Sequence, residues 1–472
     1  AGGMAFEALN YIGSQQLPMV IILNDNEMSI SRNVGALMRH LGNVRSNRGY
    51  RQTRDFIQER MEHGGWVSNA FVELGRRMKD STKHMFLPDS MIYEQLGIVC
   101  TPPINGNSIA EMQEMLRLVL PMDCPVLIHA VTKKGAGYGP AEADPVRFHG
   151  ISPYNPATGE TYPKPAPGPK FTDVFGSALV REAEADERIV AITAAMEEGT
   201  GLRPFHERFP ERFIDVGIAE EQAVGMASGL AAAGLKPVVA IYSTFMQRAL
   251  DQVVIDVALA KRDVIFALDR AGLVGDDGPT HHGAFDIAFM RLVPSMRVLV
   301  PSDVDELRSA VHTALRLEGP VSIRYPRGCA DAPGTGETQL LDVGRALKVR
   351  EGADAALLAW GRPVQAALMA AEELAREGVS CAVYDMRWAK PIDAEAVREA
   401  AACGALITLE EGSIIGGAGS GVLELLAAEG LTPRVRTMGL PDEFVMQGDT
   451  SLLLEDVGLD TPSICAAVRD LL

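Results

Sequence analysis

No stretch of this sequence stays apolar for the roughly 20 residues that a membrane-crossing helix needs, so none is expected. Basic residues are scarce beside acidic ones: 44 Lys and Arg against 62 Asp and Glu, a formal net charge of −18. That imbalance argues against a broad footprint on nucleic acid or an anionic membrane, while leaving room for a local cationic pocket. Cysteine is sparse too. Cys100, Cys124, Cys329, Cys381, Cys403 and Cys465 are scattered, with no CxxC pair. They read as small buried residues in a reducing, cytoplasmic setting, not as a disulfide framework or a zinc site. No GxGxxG follows a strand and opens a helix, which sets aside a nicotinamide dehydrogenase. There is no initiator Met and no signal-like region ahead of the first apparent helix, so a preceding segment is expected.

What is present is length and alternation. The 472 residues are too many for one core and suggest about three domains. Residues 1–42 read as a helix from Gly3 to Ile12, a buried strand from Pro18 to Leu23, and a polar stop from Asn24 to Ser29. Ligands of parallel α/β sheets bind beyond the carboxyl ends of the strands. Asn side chains and carbonyls there suit Mg²⁺, although an Asx turn is the plainer alternative. Residues 50–97 have a charged helical pattern and read as a solvated cover. A helix from Ile109 to Leu120 and a strand from Val126 to Val131 lead into a Gly-rich loop, 132–150. Lys133, Lys134, Tyr138 and His149 lie along it; such a loop alone is more often a turn than a phosphate cradle. Residues 151–170 are crowded with Pro and Gly and read as a semi-rigid linker.

From Phe171 to about Arg327, strands and helices alternate at the spacing of a parallel sheet covered on both faces. At its centre is DVGIAEEQAVGMASGLAAAGLKPVVAIYSTFMQRALDQ, residues 215–252. Small residues there let a helix pack tightly, and Glu220 falls in its first turn, where the helix dipole favours a carboxylate. Polar residues gather at strand ends: Glu220, Tyr242–Phe245, Asp269–Arg270 and Arg324–Arg327. Such ends are neighbours in a parallel sheet. The loop Gly272–Asp286 holds Asp276, Asp277, His281 and His282, and is too rich in ionisable groups to be a mere connection. Residues from about 340 to 472 alternate again, with few clustered ionisable groups at their strand ends. Glu410-Glu411 followed by Gly416–Gly419 offers an anion site at a helix start or, by preference, close packing.

Several of these runs resemble motifs of the transketolase-like enzymes that use thiamine diphosphate, and among them the 1-deoxy-D-xylulose-5-phosphate synthase family. They are LNDNEMSIS (23–31), TKKGAGYGPAEADP (132–145), GIAEEQAV (217–224), AIYSTFMQRALDQ (240–252), LDRAGLVGDDGPTHHGAFD (268–286) and RYPRG (324–328). The resemblance implies an α/β fold of three doubly wound parallel-sheet domains. Residues 1–150 would be the C-terminal remainder of a diphosphate-binding domain, 151–170 a linker, 171–330 a pyrimidine-binding domain and 340–472 a transketolase C-terminal-like domain.

The resemblance also implies roles. Glu220 would hydrogen-bond the cofactor's aminopyrimidine nitrogen, with Phe245 stacked on that ring, Ile30 and Ile218 flanking the thiazolium, and Tyr138 along the site. Asn26 and the Met28 carbonyl would hold Mg²⁺. Arg270 and Arg327, with Tyr242, would grip a sugar phosphate, a task that suits guanidinium forks. Arg248, Asp277, His281 and His149 would face the reacting centre, His281 and His149 being read as catalytic along with Glu220. The implied reaction joins pyruvate, after loss of CO₂, to D-glyceraldehyde 3-phosphate. Its product feeds isoprenoid, thiamine and pyridoxal phosphate synthesis, and the implied assembly is a homodimer.

The sequence departs from the family's pattern in three places. The family's GDG motif, a metal-binding aspartate and a substrate-facing histidine lie upstream of residue 1, so a fragment or one part of a split enzyme, with little activity alone, is expected. Gln222 stands where a His is common. Asn105 and Asn107 replace an acid and a histidine. The rival readings are another thiamine diphosphate enzyme, such as a transketolase or a 2-oxo-acid dehydrogenase β-like subunit, and a scaffold that has lost its cofactor.

Overall fold

The computed structural model describes residues 3–26, 28, 91–162 and 167–472. The chain forms two compact units, residues 1–164 with 217–219, and residues 165–216 with 220–472. In the first, a helix (Gly3–Gln15) precedes β1 (Val20–Asp25), and β2 (Val99–Cys100), β3 (Ile104–Asn105) and β4 (Val126–Val131) follow. β4 lies between β1 on one side and β2 and β3 on the other, all parallel. Pro102 and Pro103 separate β2 from β3. Neither has an N–H for the ladder, so one edge is split into two short pieces. The helix Ile109–Val119 starts at Ser108, whose hydroxyl accepts from Glu111 N, as an N-cap should. Of the charged helical pattern at 50–97, the short helix Met91–Gln95 lies within the described residues, and positions 50–90 lie outside them.

The second unit holds two sheets. The strands are β5 (Ile189–Thr193), β6 (Phe213–Asp215), β7 (Lys236–Tyr242), β8 (Ile265–Asp269), β9 (Arg297–Leu299), β10 (Val321–Arg324), β11 (Leu347–Arg350), β12 (Ala355–Trp360), β13 (Cys381–Asp385), β14 (Trp388–Lys390), β15 (Ala405–Ser413) and β16 (Arg434–Leu440). One sheet runs β14-β9-β10-β8-β7-β5-β6 and the other β11-β13-β12-β15-β16. β5, β8, β10, β12, β13 and β15 are buried along their whole lengths. That is the mark of parallel strands covered on both faces, and it explains their continuous apolar runs. β14 and β11 are the antiparallel additions. β14 is three residues long, too short for any periodicity to reveal.

The helix Glu220–Ala232 packs as the small residues suggest, but the glycines are not what permits it. Ala223 and Ala227 are fully buried, and Ser228 Oγ donates to Asp256 O at 2.6 Å. A Cβ on Gly225 would sit 3.7 Å from Asp256 Oδ2, and one on Gly229 would meet nothing. The partner is a π-helical stretch, Val253–Leu259.

Beyond residue 340 the sequence suggests few clustered ionisable groups at strand ends, with Glu410-Glu411 the pair that stands out. Glu410 and Glu411 are buried at the end of β15. Glu410 Oε2 accepts from Ala418 N and Oε1 from Gly419 N, both at 2.7 Å. The start of the helix Ala418–Glu429 is therefore filled by the chain's own carboxylate, and the packing reading of Gly416–Gly419 holds. Burial pushes the Glu410 carboxyl up to about 7.

Where the two sheets meet, Arg324 is buried with every contact made inside the protein. Its Nε reaches Asp286 Oδ2 at 2.7 Å, and Nη2 reaches Gly283 O at 3.2 Å and Glu411 O at 2.9 Å. Removing one member of such a pair strands a buried charge, at a cost of about 3–5 kcal/mol. Arg324→Leu is therefore expected to lower the unfolding free energy, read from urea melts, by that amount. A double substitution, Arg324→Leu with Asp286→Leu, is expected to recover part of it; a single variant as stable as the parent would refute the assignment.

Candidate active site

Register brings the polar strand ends together. Tyr242 lies opposite Asp269 on β7 and β8, and Arg324 lies opposite Leu268 on β10 and β8. Glu220, the first residue of its helix, is 2% exposed, and Arg248 Nη1 contacts its Oε2 at 2.5 Å. Arg248, expected at the reacting centre, thus sits on the proposed catalytic carboxylate and balances its buried charge.

Around Tyr242 a separate set of contacts leads to a cationic cluster. Phe245 and Tyr242 stack with centroids 5.5 Å apart, and His281 meets Phe245 edge-on at 5.3 Å. The Arg270 guanidinium lies over the Tyr242 ring at 4.1 Å, a cation–π contact. Asp277 Oδ2 bridges Arg270 Nη1 at 2.6 Å and Arg327 Nη1 at 2.7 Å. Asp277 therefore acts by holding two guanidinium groups side by side. Of the two arginines of RYPRG, Arg324 is consumed at the sheet junction, and Arg327 is the one that belongs to the cluster.

His281 Nδ1 pairs with Thr280 Oγ1 at 2.8 Å. Burial pushes its proton affinity down, reinforced by Arg270 and Arg327 and opposed by Asp277. The lowered proton affinity favours the neutral form of the imidazole.

Beside the cluster lies a buried group at the Asp269 strand end, to which the motifs gave no role. Asp269 is buried, and its Oδ2 accepts from Thr172 Oγ1 at 2.8 Å. Asp269 Oδ1 and the Tyr325 hydroxyl have no hydrogen-bond partner among the described residues. Burial raises the Asp269 carboxyl to about 7 and the Tyr325 hydroxyl well above its usual value. Arg270, next in the chain, sits at φ +59°, a costly backbone conformation for a side chain of its size.

The first unit carries the other expected residues. Asn26 Oδ1 accepts from Met28 N at 3.0 Å, an Asx turn. Tyr138 donates to Pro156 O at 2.8 Å and packs against Phe148 and Tyr154. His149 ends a short 3₁₀ turn, Arg147–His149. Ile218 is exposed, and Ile30 lies outside the described residues. Asn105 Oδ1 accepts from Asn107 N, and Asn107 Oδ1 from Lys133 N, so both support turns. Gln222 is exposed on its helix.

Comparison with known proteins fits this arrangement. Residues 1–132 match the family model described as 1-deoxy-D-xylulose-5-phosphate synthase, residues 168–331 the transketolase pyrimidine-binding domain, and residues 344–464 the transketolase C-terminal domain. Curated 1-deoxy-D-xylulose-5-phosphate synthases are similar over nearly the whole chain. The protein from Heliobacterium modesticaldum is 44% identical over 100% of this chain and 73% of its own length. That from Desulforudis audaxviator is 48% identical over 97% and 72%. The chain belongs to the 1-deoxy-D-xylulose-5-phosphate synthase family.

Among solved structures, one titled "Split gene transketolase, inactive beta4 tetramer" aligns with a TM-score of 0.59 and 35% identity, over 64% of this chain and 98% of that one. Transketolase from Campylobacter jejuni aligns at 0.56 and 18% identity over 99% and 75%, which speaks to the α/β fold alone. For a synthase of this family the pyrimidine half of a thiamine diphosphate site fits the residues present: a buried carboxylate, an aromatic face and a buried Ser243 Oγ with no hydrogen-bond partner among the described residues. The metal half fits less well. Mg²⁺ takes six oxygens, and Asn26 and Met28 supply two; among the described residues no three His, Cys, Asp or Glu groups assemble to hold a metal.

Unfolded, the Asp269 carboxyl loses its proton near pH ~4; folded, it keeps it to about 7. The folded chain binds the extra proton between those values, so stability falls as pH rises through that window. Asp269→Asn keeps an acceptor for Thr172 and removes this loss. Its unfolding free energy relative to the parent is expected to rise between about pH 5 and about pH 7.5, on the order of a few kcal/mol. A constant difference across that range counts against the assignment.

Proposed function

We propose that the chain performs the chemistry of its family: decarboxylation of pyruvate and condensation with D-glyceraldehyde 3-phosphate, giving 1-deoxy-D-xylulose 5-phosphate and CO₂. The observation that carries this reading is the Arg270–Asp277–Arg327 cluster, joined through Tyr242 and Phe245 to the side of the site that bears His281. Two adjacent guanidinium groups suit a phosphate better than they suit pyruvate, whose single carboxylate needs one fork.

Thiamine diphosphate, when bound, supplies the carbon nucleophile and electron sink for decarboxylation. The remaining work is the protein's. Glu220 would hold a proton at the aminopyrimidine nitrogen and Phe245 would stack on that ring, while the motif resemblance gives Ile218, Ile30 and Tyr138 further cofactor contacts. Arg248 stabilises the Glu220 carboxylate. Arg270, Arg327 and Tyr242 seat the sugar phosphate and so orient its aldehyde. His281 would move the proton that the new hydroxyl requires, a role the motif resemblance also gives His149. Asn26 and Met28 would contribute oxygens to Mg²⁺ with the diphosphate, water and the carboxylate of the family's GDG motif.

In domain terms the reading is a remainder of the diphosphate-binding domain at 1–150, a linker at 151–170, a pyrimidine-binding domain at 171–330 and a C-terminal domain at 340–472. It includes a cytoplasmic setting; among the described residues no helix is long and apolar enough to cross a membrane. It also includes a homodimer, supported by the exposure of Ile255 and Leu259 on the π-helical stretch. Sedimentation equilibrium of the chain checks this: twice the chain mass is expected, and Ile255→Asp is expected to halve it.

Substituting Arg270 or Arg327 by Ala is expected to raise the KM for D-glyceraldehyde 3-phosphate. A hydrogen bond to a charged group is worth about 1.5–3 kcal/mol, so the rise is roughly tenfold or more. Pyruvate decarboxylation is expected to be spared. Equal loss of both half-reactions, measured separately, would falsify the phosphate role.

A further inference from the structure

We infer that His282 is a positioning residue for the phosphate cluster, coupling the C-terminal segment around Met446 to Arg327 through the backbone of Val274. The inference rests on the phosphate role given above to Arg270 and Arg327.

The two adjacent histidines are used differently. His281 is half-buried, with its ring edge on Phe245, whereas His282 is buried and its ring is spanned by the backbone. Val274 N donates to His282 Nδ1 at 3.0 Å, and His282 Nε2 lies 3.3 Å from Met446 O. A backbone amide can only donate, so Nδ1 is unprotonated. The ring's one proton then sits on Nε2, where a carbonyl is waiting to accept it. One tautomer satisfies both contacts.

Val274 passes this constraint on. Its carbonyl accepts from Arg327 Nη1 at 3.0 Å, the same nitrogen that reaches Asp277. The preceding amide, Leu273 N, donates to Glu411 Oε1 at 2.6 Å. Two consecutive amides at the root of the loop are thus pinned, one directly by Glu411 and the other through His282 to Met446. Closeness is enforced by glycines. A Cβ on Gly272, at φ +78°, would come within 2.4 Å of Glu411 Cδ, and one on Gly275, at φ +73°, within 2.8 Å of Thr450 Oγ1.

Arg side chains carry about 2 kcal/mol of rotamer entropy. A fork held in place before the ligand arrives loses less of it on binding. His282 touches neither the ligand position nor Glu220 in this arrangement. Its effect is carried by the peptide that orients Arg327.

The test is calorimetric titration of the 472-residue chain with inorganic phosphate and with D-glyceraldehyde 3-phosphate. His282→Phe fills the volume without hydrogen bonds and is expected to weaken both by about five- to tenfold. His282→Asn offers Val274 N an acceptor and is expected to recover most of that loss. Imidazole ¹⁵N spectra of the parent should contain one neutral ring with its proton on Nε2, missing from the Asn variant. Parent-like phosphate binding by His282→Phe overturns the inference. So does an Asn variant that folds but binds no better than Phe, or a ring protonated on Nδ1. Arg327→Ala is titrated alongside. If it binds phosphate as the parent does, the phosphate reading itself fails; if it binds weakly while His282→Phe does not, His282 alone is refuted.

Discussion

The Glu411 carboxylate is buried where the two sheets of the second unit meet, and much of the site's geometry depends on how it is neutralised. Arg362 closes on it with both ends of its guanidinium, Nε at 3.0 Å from Oε2 and Nη2 against Oε1. The same carboxylate takes the Leu273 amide, while the Glu411 carbonyl takes Arg324. A charge removed from water must be met by partners in fixed directions, or its desolvation outweighs what it gains. Four chain segments, around residues 273, 324, 362 and 411, are therefore tied to one point. The arginine cluster is built on two of them.

This gives the C-terminal residues a role beyond packing. Tyr242, Phe245, Arg270 and Arg327, the groups proposed to meet the ligands, all come from the ends of β7, β8 and β10. The backbone that aims them is held from β15 and from the segment around 446–450. Side chains that must hold a phosphate at a fixed distance from a reacting carbon tolerate errors of well under about 1 Å. A sheet end alone does not supply that rigidity; a second sheet buttressing the loop does.

Much of this was legible in the sequence. The strand Val126–Val131, the helix ending at Ala185 and the strand Ile189–Thr193 stand where the apolar runs and polar stops put them. The prominence of Glu220, Arg270 and the Gly272–Asp286 loop followed from their positions at strand ends. What stayed hidden has no local signature. Thr172 meets Asp269 across 97 residues and Glu411 meets Leu273 across 138, and nothing in either neighbourhood announces the partner. Adjacent residues of like type were indistinguishable as well. Arg324 and Arg327 share one motif, as do His281 and His282, and burial alone separates the structural member from the one that faces the site. The π-helical turn at Val253–Leu259 reads as ordinary helix because its apolar spacing barely differs from the 3.6-residue period.

The short strand β14 bears on how the chain can be divided. It comes from the residues after 340, yet it completes the edge of the sheet that carries Tyr242, Arg270 and Arg327, alongside β9. Trp388 within it is fully buried in that sheet's core, and its carbonyl accepts from Trp360 Nε1 at 3.0 Å. A cut near residue 331, where the match to the pyrimidine-binding model stops, would leave β9 as an open edge with unpaired backbone groups, the kind of surface that recruits strands from other molecules. The boundary drawn by sequence similarity is thus not a boundary of self-sufficient folding.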